Sequence, residues 1–110
     1  MHAPRRAPAA PLPVMVWLHG GCFVGGSPDS YDGSSLVNAA GGKVIVVTVA
    51  FRLNVFGHLG GAQVKARAGS AGNFGLLDQR EALRWVQRNI ASFGAPAAPC
   101  HHSPVAICSR

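Results

Sequence analysis

The sequence predicts an α/β fold: two buried parallel strands with a covering helix, in an incomplete sheet. Three observations carry that reading. Val14-Met15-Val16-Trp17-Leu18 is continuously apolar, as a strand buried on both faces reads. Val44-Ile45-Val46-Val47-Thr48-Val49-Ala50-Phe51 repeats the pattern and is rich in β-branched residues. Between Gln79 and Ser92, apolar residues recur at spacings of three and four, the stripe of an amphipathic helix. Strands of this kind joined by a crossover run parallel and need helical cover.

Each element has a local reason. Residues 1–12 are rich in Pro and Ala and predict an irregular lead-in. Pro13 and His19-Gly20-Gly21 bound the first strand. A glycine-rich loop with Pro28 comes next. A short helix over Ser34–Ala40 is then expected, with Gly33 or Ser34 near its N-cap and Gly41-Gly42 as its stop. Residues 52–77 read as a long glycine-rich loop, and a loop of that size in a compact domain calls for a functional reason. Asp78 followed by Glu81 has the form of an N-cap with a capping box, which starts the helix at Gln79. Leu83, Val86, Ile90 and Phe93 form its apolar stripe, with Trp85 at the edge and Arg80, Arg84, Gln87 and Arg88 opposite. Gly94 can end it. The stretch 95–110 carries three prolines and no clear period, so it reads as a disordered tail outside the domain spanning 1–94.

Composition excludes several classes. With 48% hydrophobic and 13% charged residues, the chain is too apolar for a disordered protein. No apolar run approaches the roughly 20 residues of a membrane-spanning helix. The net charge of +6 is scattered, and no aromatic residues interleave with a basic cluster, which argues against nucleic acid. Three cysteines, Cys22, Cys100 and Cys108, do not make a disulfide framework. Cys100-His101-His102 lacks the paired spacing of a zinc site, so neither metal nor cofactor is expected. Arg5-Arg6 precede an apolar run broken by Pro8, Pro11 and Pro13, which is a poor export signal and leaves localisation undefined.

The stretch "VMVWLHGGCFVGGS" carries the chemistry. A buried strand runs directly into His-Gly-Gly, where missing side chains leave backbone N–H groups bare. Two such groups can hydrogen-bond the oxyanion that forms when an ester carbonyl is attacked, and one lost donor typically costs about 3 kcal/mol of barrier. On the residues alone, a plain glycine turn at a strand end fits equally well.

Four blocks, "PVMVWLHGGCFVGGS", "YDGSSL", "VIVVTVAFRLNVFGHLG" and "GNFGLLDQREALRWVQRNIASFG", resemble the type-B carboxylesterase and cholinesterase family of the α/β-hydrolase fold. They stand in family order over Leu12–Gly94. The resemblance implies oxyanion donors at the Gly21 and Cys22 N–H groups, with Gly20 shaping the turn. Cys22 stands where the family commonly has glycine. Phe23 takes an aromatic position beside the acyl pocket. Arg52 and Asp78 match an internal ion pair that braces the long loop against the helix, and Asn73 matches a loop-fixing residue. His58 replaces a common phenylalanine and reads as a surface or loop histidine.

Ala68-Gly69-Ser70-Ala71-Gly72 imitates a nucleophile elbow, but Ser70 has neither the preceding apolar strand nor the immediate helix that an elbow needs. The family's serine nucleophile, histidine base and acid are expected outside this sequence. The resemblance therefore implies an internal piece of a serine esterase acting on small carboxylic esters, inactive alone, from relatives that are often secreted. The run Cys100-His101-His102, shifted by one base, can encode the Val-Thr-Ile that the family carries nearby, so a frameshift, a misplaced exon boundary or a faulty gene model is expected to have replaced the true continuation. The first strand would then lack a neighbour, and its unpaired edge invites self-association. The other reading of the chain is a non-catalytic interaction module, as some members of the superfamily are.

Overall fold

A computed structural model of the chain describes residues 1–4 and 11–95, and the backbone of residues 105–109. Three strands, β1 (Val14–Leu18), β2 (Ile45–Val49) and β3 (Val105–Ser109), form one parallel sheet in the order β2-β1-β3. The helices are α1 (Gly33–Ala39), α2 (Asn54–His58), α3 (Ala62–Ala68) and α4 (Phe74–Asn89).

Strand alternation divides the sheet into two faces. Val14, Val16 and Leu18 of β1 stand beside Ile45, Val47 and Val49 of β2, register partners in that order, and all six are buried. Val86 of α4 and Ile90 just after the helix close over them. Burying each such side chain is worth about 1.5–3 kcal/mol, so this face supplies most of the stabilisation. On the other face, Trp17, Val46 and Thr48 meet α1 and Tyr31 around a groove of about 310 Å³.

Several sequence expectations need correction. The stretch 95–110 reads as holding no element, yet Val105–Ser109 pairs with β1 from Val14↔Val105 to Leu18↔Ser109. The run Val-Ala-Ile-Cys is short and apolar enough for a strand; Pro96, Pro99 and Pro104 hide it in a composition that otherwise reads as a tail. The open edge expected on β1 is therefore occupied. Cys100, His101 and His102 lie outside the described residues, as do residues 5–10.

The lead-in is tied down at both ends. His2 exchanges two backbone hydrogen bonds with Val46 (2.8 and 2.9 Å) on the outer edge of β2, and Leu12 donates to the Gly94 carbonyl. Residues 52–77 contain α2 and α3 rather than one loop. Helix α1 begins one residue before the expected start, with the Asp32 side chain capping it through the Ser34 N–H.

Helix α4 begins at Phe74, five residues before the expected Gln79. Asp78 is no N-cap, because its carboxylate is taken by Arg52, far away in sequence. Glu81 pairs with Arg88 and Arg84 instead of closing a capping box. The helix ends in a 3₁₀ turn, Ile90–Phe93, and Gly94 at a φ of 90°. Trp85 and Phe93 stay nearly half exposed, their rings 6.3 Å apart.

Candidate functional site

Parallel strands end together, and the open space at their carboxyl ends is where α/β sheets bind ligands. Here β1 runs out into His19 and β2 into Phe51. His19 is 5% exposed, and its imidazole stacks on the Phe51 ring at 4.5 Å and 12°. Its Nδ1–H donates to the Gly20 carbonyl at 3.0 Å. That bond fixes the ring and steers the chain into the next turn.

The turn then reverses sharply. Gly21, Cys22 and Phe23 take φ values of 128°, 54° and 61°. The Gly21 carbonyl accepts from the N–H groups of Val24 (2.9 Å) and Gly25 (3.2 Å). A Cβ at Gly21 would run into the Gly25 carbonyl, so only glycine fits. Cys22 and Phe23 adopt the left-handed region despite their side chains, a conformation that normally costs about 1–2 kcal/mol per residue. Among the described residues, the Gly21 and Cys22 N–H groups have no hydrogen-bond acceptor. Both residues are exposed.

A cavity of about 320 Å³ opens beside this turn, lined by His19, Gly20, Gly21, Cys22 and Phe23 from the β1 side. Phe51, Leu53 and Gln79 close the other side. Sequence reasoning singles out Gly20, Gly21, Cys22 and Phe23, and the chain brings all four to this cavity. It misses His19, Phe51, Leu53 and Gln79 as its walls. The apolar run ending at Phe51 carries a usable signal, since the last residue of one parallel strand must lie near the last of its neighbour. Gln79 carries none.

Arg52 and Asp78 stand behind the cavity. The Arg52 guanidinium donates to both carboxylate oxygens of Asp78 (2.8 and 2.7 Å), and the Arg52 N–H adds a third bond at 3.0 Å. The guanidinium beside it holds the Asp78 carboxyl below the usual carboxylate range. The same bond raises Arg52 above the ordinary arginine value. Arg52 also lies over the Phe74 ring at 5.2 Å. Asn73 is the N-cap of α4 but makes no side-chain capping bond.

His58 differs from the surface or loop histidine expected, since it ends a helix. It ends α2 half-buried, its Nδ1–H donating to the Gly72 carbonyl at 3.1 Å and its ring edge-on to Phe23 at 5.0 Å. Its Nε2 is buried with no partner among the described residues. Ser70 comes after α3 in a turn with no strand before it. Among the described residues, no helix is long and apolar enough to cross a membrane.

The fold has a solved counterpart. The solved structure of Aspergillus niger EstA superposes with a TM-score of 0.74 at 32% identity, covering 92% of this chain and 18% of that one. The fold is thus part of an α/β-hydrolase fold of the esterase class. The sequence model of the carboxylesterase family matches residues 2–98, and the chain belongs to that family. Carboxylesterase 4A of Bos taurus is 52% identical over 86% of this chain and 16% of its own length. Para-nitrobenzyl esterase of Bacillus subtilis is 51% identical over 79% of this chain and 17% of its own. Neuroligin-2 of Mus musculus is 51% identical over 74% and 9% respectively. The chain therefore spans about a sixth of the length of the two esterases.

Proposed function

We infer that this chain furnishes the oxyanion side of a carboxylic-ester hydrolase site. The observation that carries the reading is the pair of bare N–H groups, Gly21 and Cys22, held at positive φ beside a cavity at the end of β1. An ester carbonyl oxygen placed there gains negative charge as its carbon is attacked. Two fixed donors stabilise that charge more than they stabilise the neutral carbonyl, which is what lowers a barrier. Cys22 serves through its backbone, so its thiol narrows the site without removing a donor. Phe23 borders the acyl side. Gly20 shapes the entry to the turn, and the Arg52–Asp78 pair and Asn73 have structural roles.

The attacking serine, the histidine base and the acid are not among these residues. Ser70 lacks the strand–turn–helix setting that exposes a nucleophile. The proposed chemistry needs no cofactor. Its substrate class is a small-molecule carboxylic ester, supported by the esterase relatives.

Treatment of the purified chain with a reactive organophosphate, followed by peptide mass spectrometry, tests the division of labour. No serine should be labelled, and p-nitrophenyl acetate should not be turned over. Labelling at any serine overturns it. Titration with methylphosphonate should shift the amide resonances of Gly21 and Cys22. The second reading is a non-catalytic interaction module, and a silent titration would support it. Self-association, if the chain shows it on sizing columns, belongs to the outer edge of β3, which pairs with β1 alone among the described residues.

A further inference from the structure

Among the described residues, one backbone hydrogen bond anchors the oxyanion turn from outside. The Phe23 carbonyl accepts from the Asn54 N–H at 2.6 Å. Asn54 is the first residue of α2 and sits at a φ of 47°, in the left-handed region. Asparagine tolerates that region better than other residues with side chains, because its short polar group can bond locally. Here its Oδ1 accepts from the Phe56 N–H at 3.3 Å.

Behind Asn54 the support continues. The Arg52 carbonyl lies so close to Gly57 of α2 and Gly75 of α4 that a Cβ on either would collide with it. Arg52 itself is bound to Asp78 of α4 by three hydrogen bonds. At the other end of α2, His58 meets the Phe23 ring edge-on. The short helix is thus fixed to α4 and holds Phe23 by both its carbonyl and its ring.

From this geometry, and resting on the oxyanion reading of the turn, we propose that Asn54 is a positioning residue for the Gly21 and Cys22 donors. Its left-handed backbone presents the N–H that captures the Phe23 carbonyl. That capture keeps Cys22 and Phe23 in their own left-handed conformations, and the turn remains open toward the cavity. Asn54 touches neither substrate nor reacting atoms; it acts through Phe23.

The test uses the full chain, labelled with ¹⁵N, as wild type, Asn54→Val and Asn54→Gly. Valine resists positive φ and glycine accepts it, while both keep the N–H. Asn54→Val should speed amide exchange at Val24 and Gly25 about tenfold while leaving α4 unchanged. It should also weaken the methylphosphonate response of Gly21 and Cys22 by a similar factor. Asn54→Gly should restore both readouts, a rescue that a general loss of packing would not show. Wild-type exchange in Asn54→Val, or no recovery in Asn54→Gly, overturns the proposal. If the valine variant fails to fold, Asn54→Ala against Asn54→Gly makes the same comparison. If the wild type itself ignores methylphosphonate, the oxyanion reading falls, and the exchange comparison still decides the role of Asn54.

Discussion

β1 and β2 are alike as strands and opposite in the segments they lead into. Both are five residues long, parallel and in register, and both bury alternate side chains against α4. After β1 the chain enters a turn with positive φ values and uncommitted amides. After β2 it reaches Arg52, whose side chain and N–H are bound by Asp78 of α4 and whose carbonyl packs closely against Gly57 of α2 and Gly75 of α4. One strand end keeps its hydrogen-bonding capacity for an outside group, and the other commits its capacity to holding the first in place. A strained, open turn can persist only where a neighbour over-determines it.

The comparison can be broken at several points, with effects of decreasing size. Ile45→Ala strikes the feature the two strands share: a fully buried side chain on the α4 face. It should cost about 3 kcal/mol in urea unfolding, and a loss below about 1 kcal/mol would mean the sheet is not the cooperative unit. Gly21→Ala strikes the open end and should cost about 2 kcal/mol, with lost amide protection at Val24 and Gly25. An unchanged turn in that variant would contradict the crowding against the Gly25 carbonyl.

Asp78→Asn strikes the braced end, with a smaller effect that depends on pH. Because Arg52 holds the Asp78 carboxyl below its ordinary value, the pair stabilises the fold fully above the unfolded pKa of about 4. That contribution is lost as pH falls through the depressed folded value. Wild type should melt a few degrees above the variant at pH 7, and the two curves should converge in acid. Curves that stay parallel would remove the pair from the account. The smallest effect should have the opposite sign. Cys22→Gly relieves a left-handed cysteine and should stabilise by about 1 kcal/mol; a destabilised variant would show that the thiol packs usefully.

How much of the molecule is legible in its sequence depends on how far each signal reaches. The two strands are continuous apolar runs, and the end of β1 in His-Gly-Gly is local, so the cavity's near wall can be read directly. The start of α4 is easily misread because Asp78 and Glu81 carry a local capping signature, while Asp78 pairs with Arg52, distant in sequence, and Glu81 pairs with Arg84 and Arg88 further along the helix. Helices α2 and α3 are hidden by the glycines around them. Of those, Gly57 is there for its closeness to a distant carbonyl, not for flexibility. Asn54 leaves one faint trace: an asparagine between apolar residues, where positive φ is tolerated. Strand β3 is obscured by the prolines before it.

The sheet order β2-β1-β3 has a consequence for synthesis. Of these three strands, the one made earliest ends up in the middle, and Val14 must wait for Val105 before its second ladder closes. Distant pairings form late because ring closure must precede any reward. Pulse-labelled refolding should therefore find the amides facing β2 protected before those facing β3. Until then, one edge of the strand leaves its N–H and C=O groups unpaired.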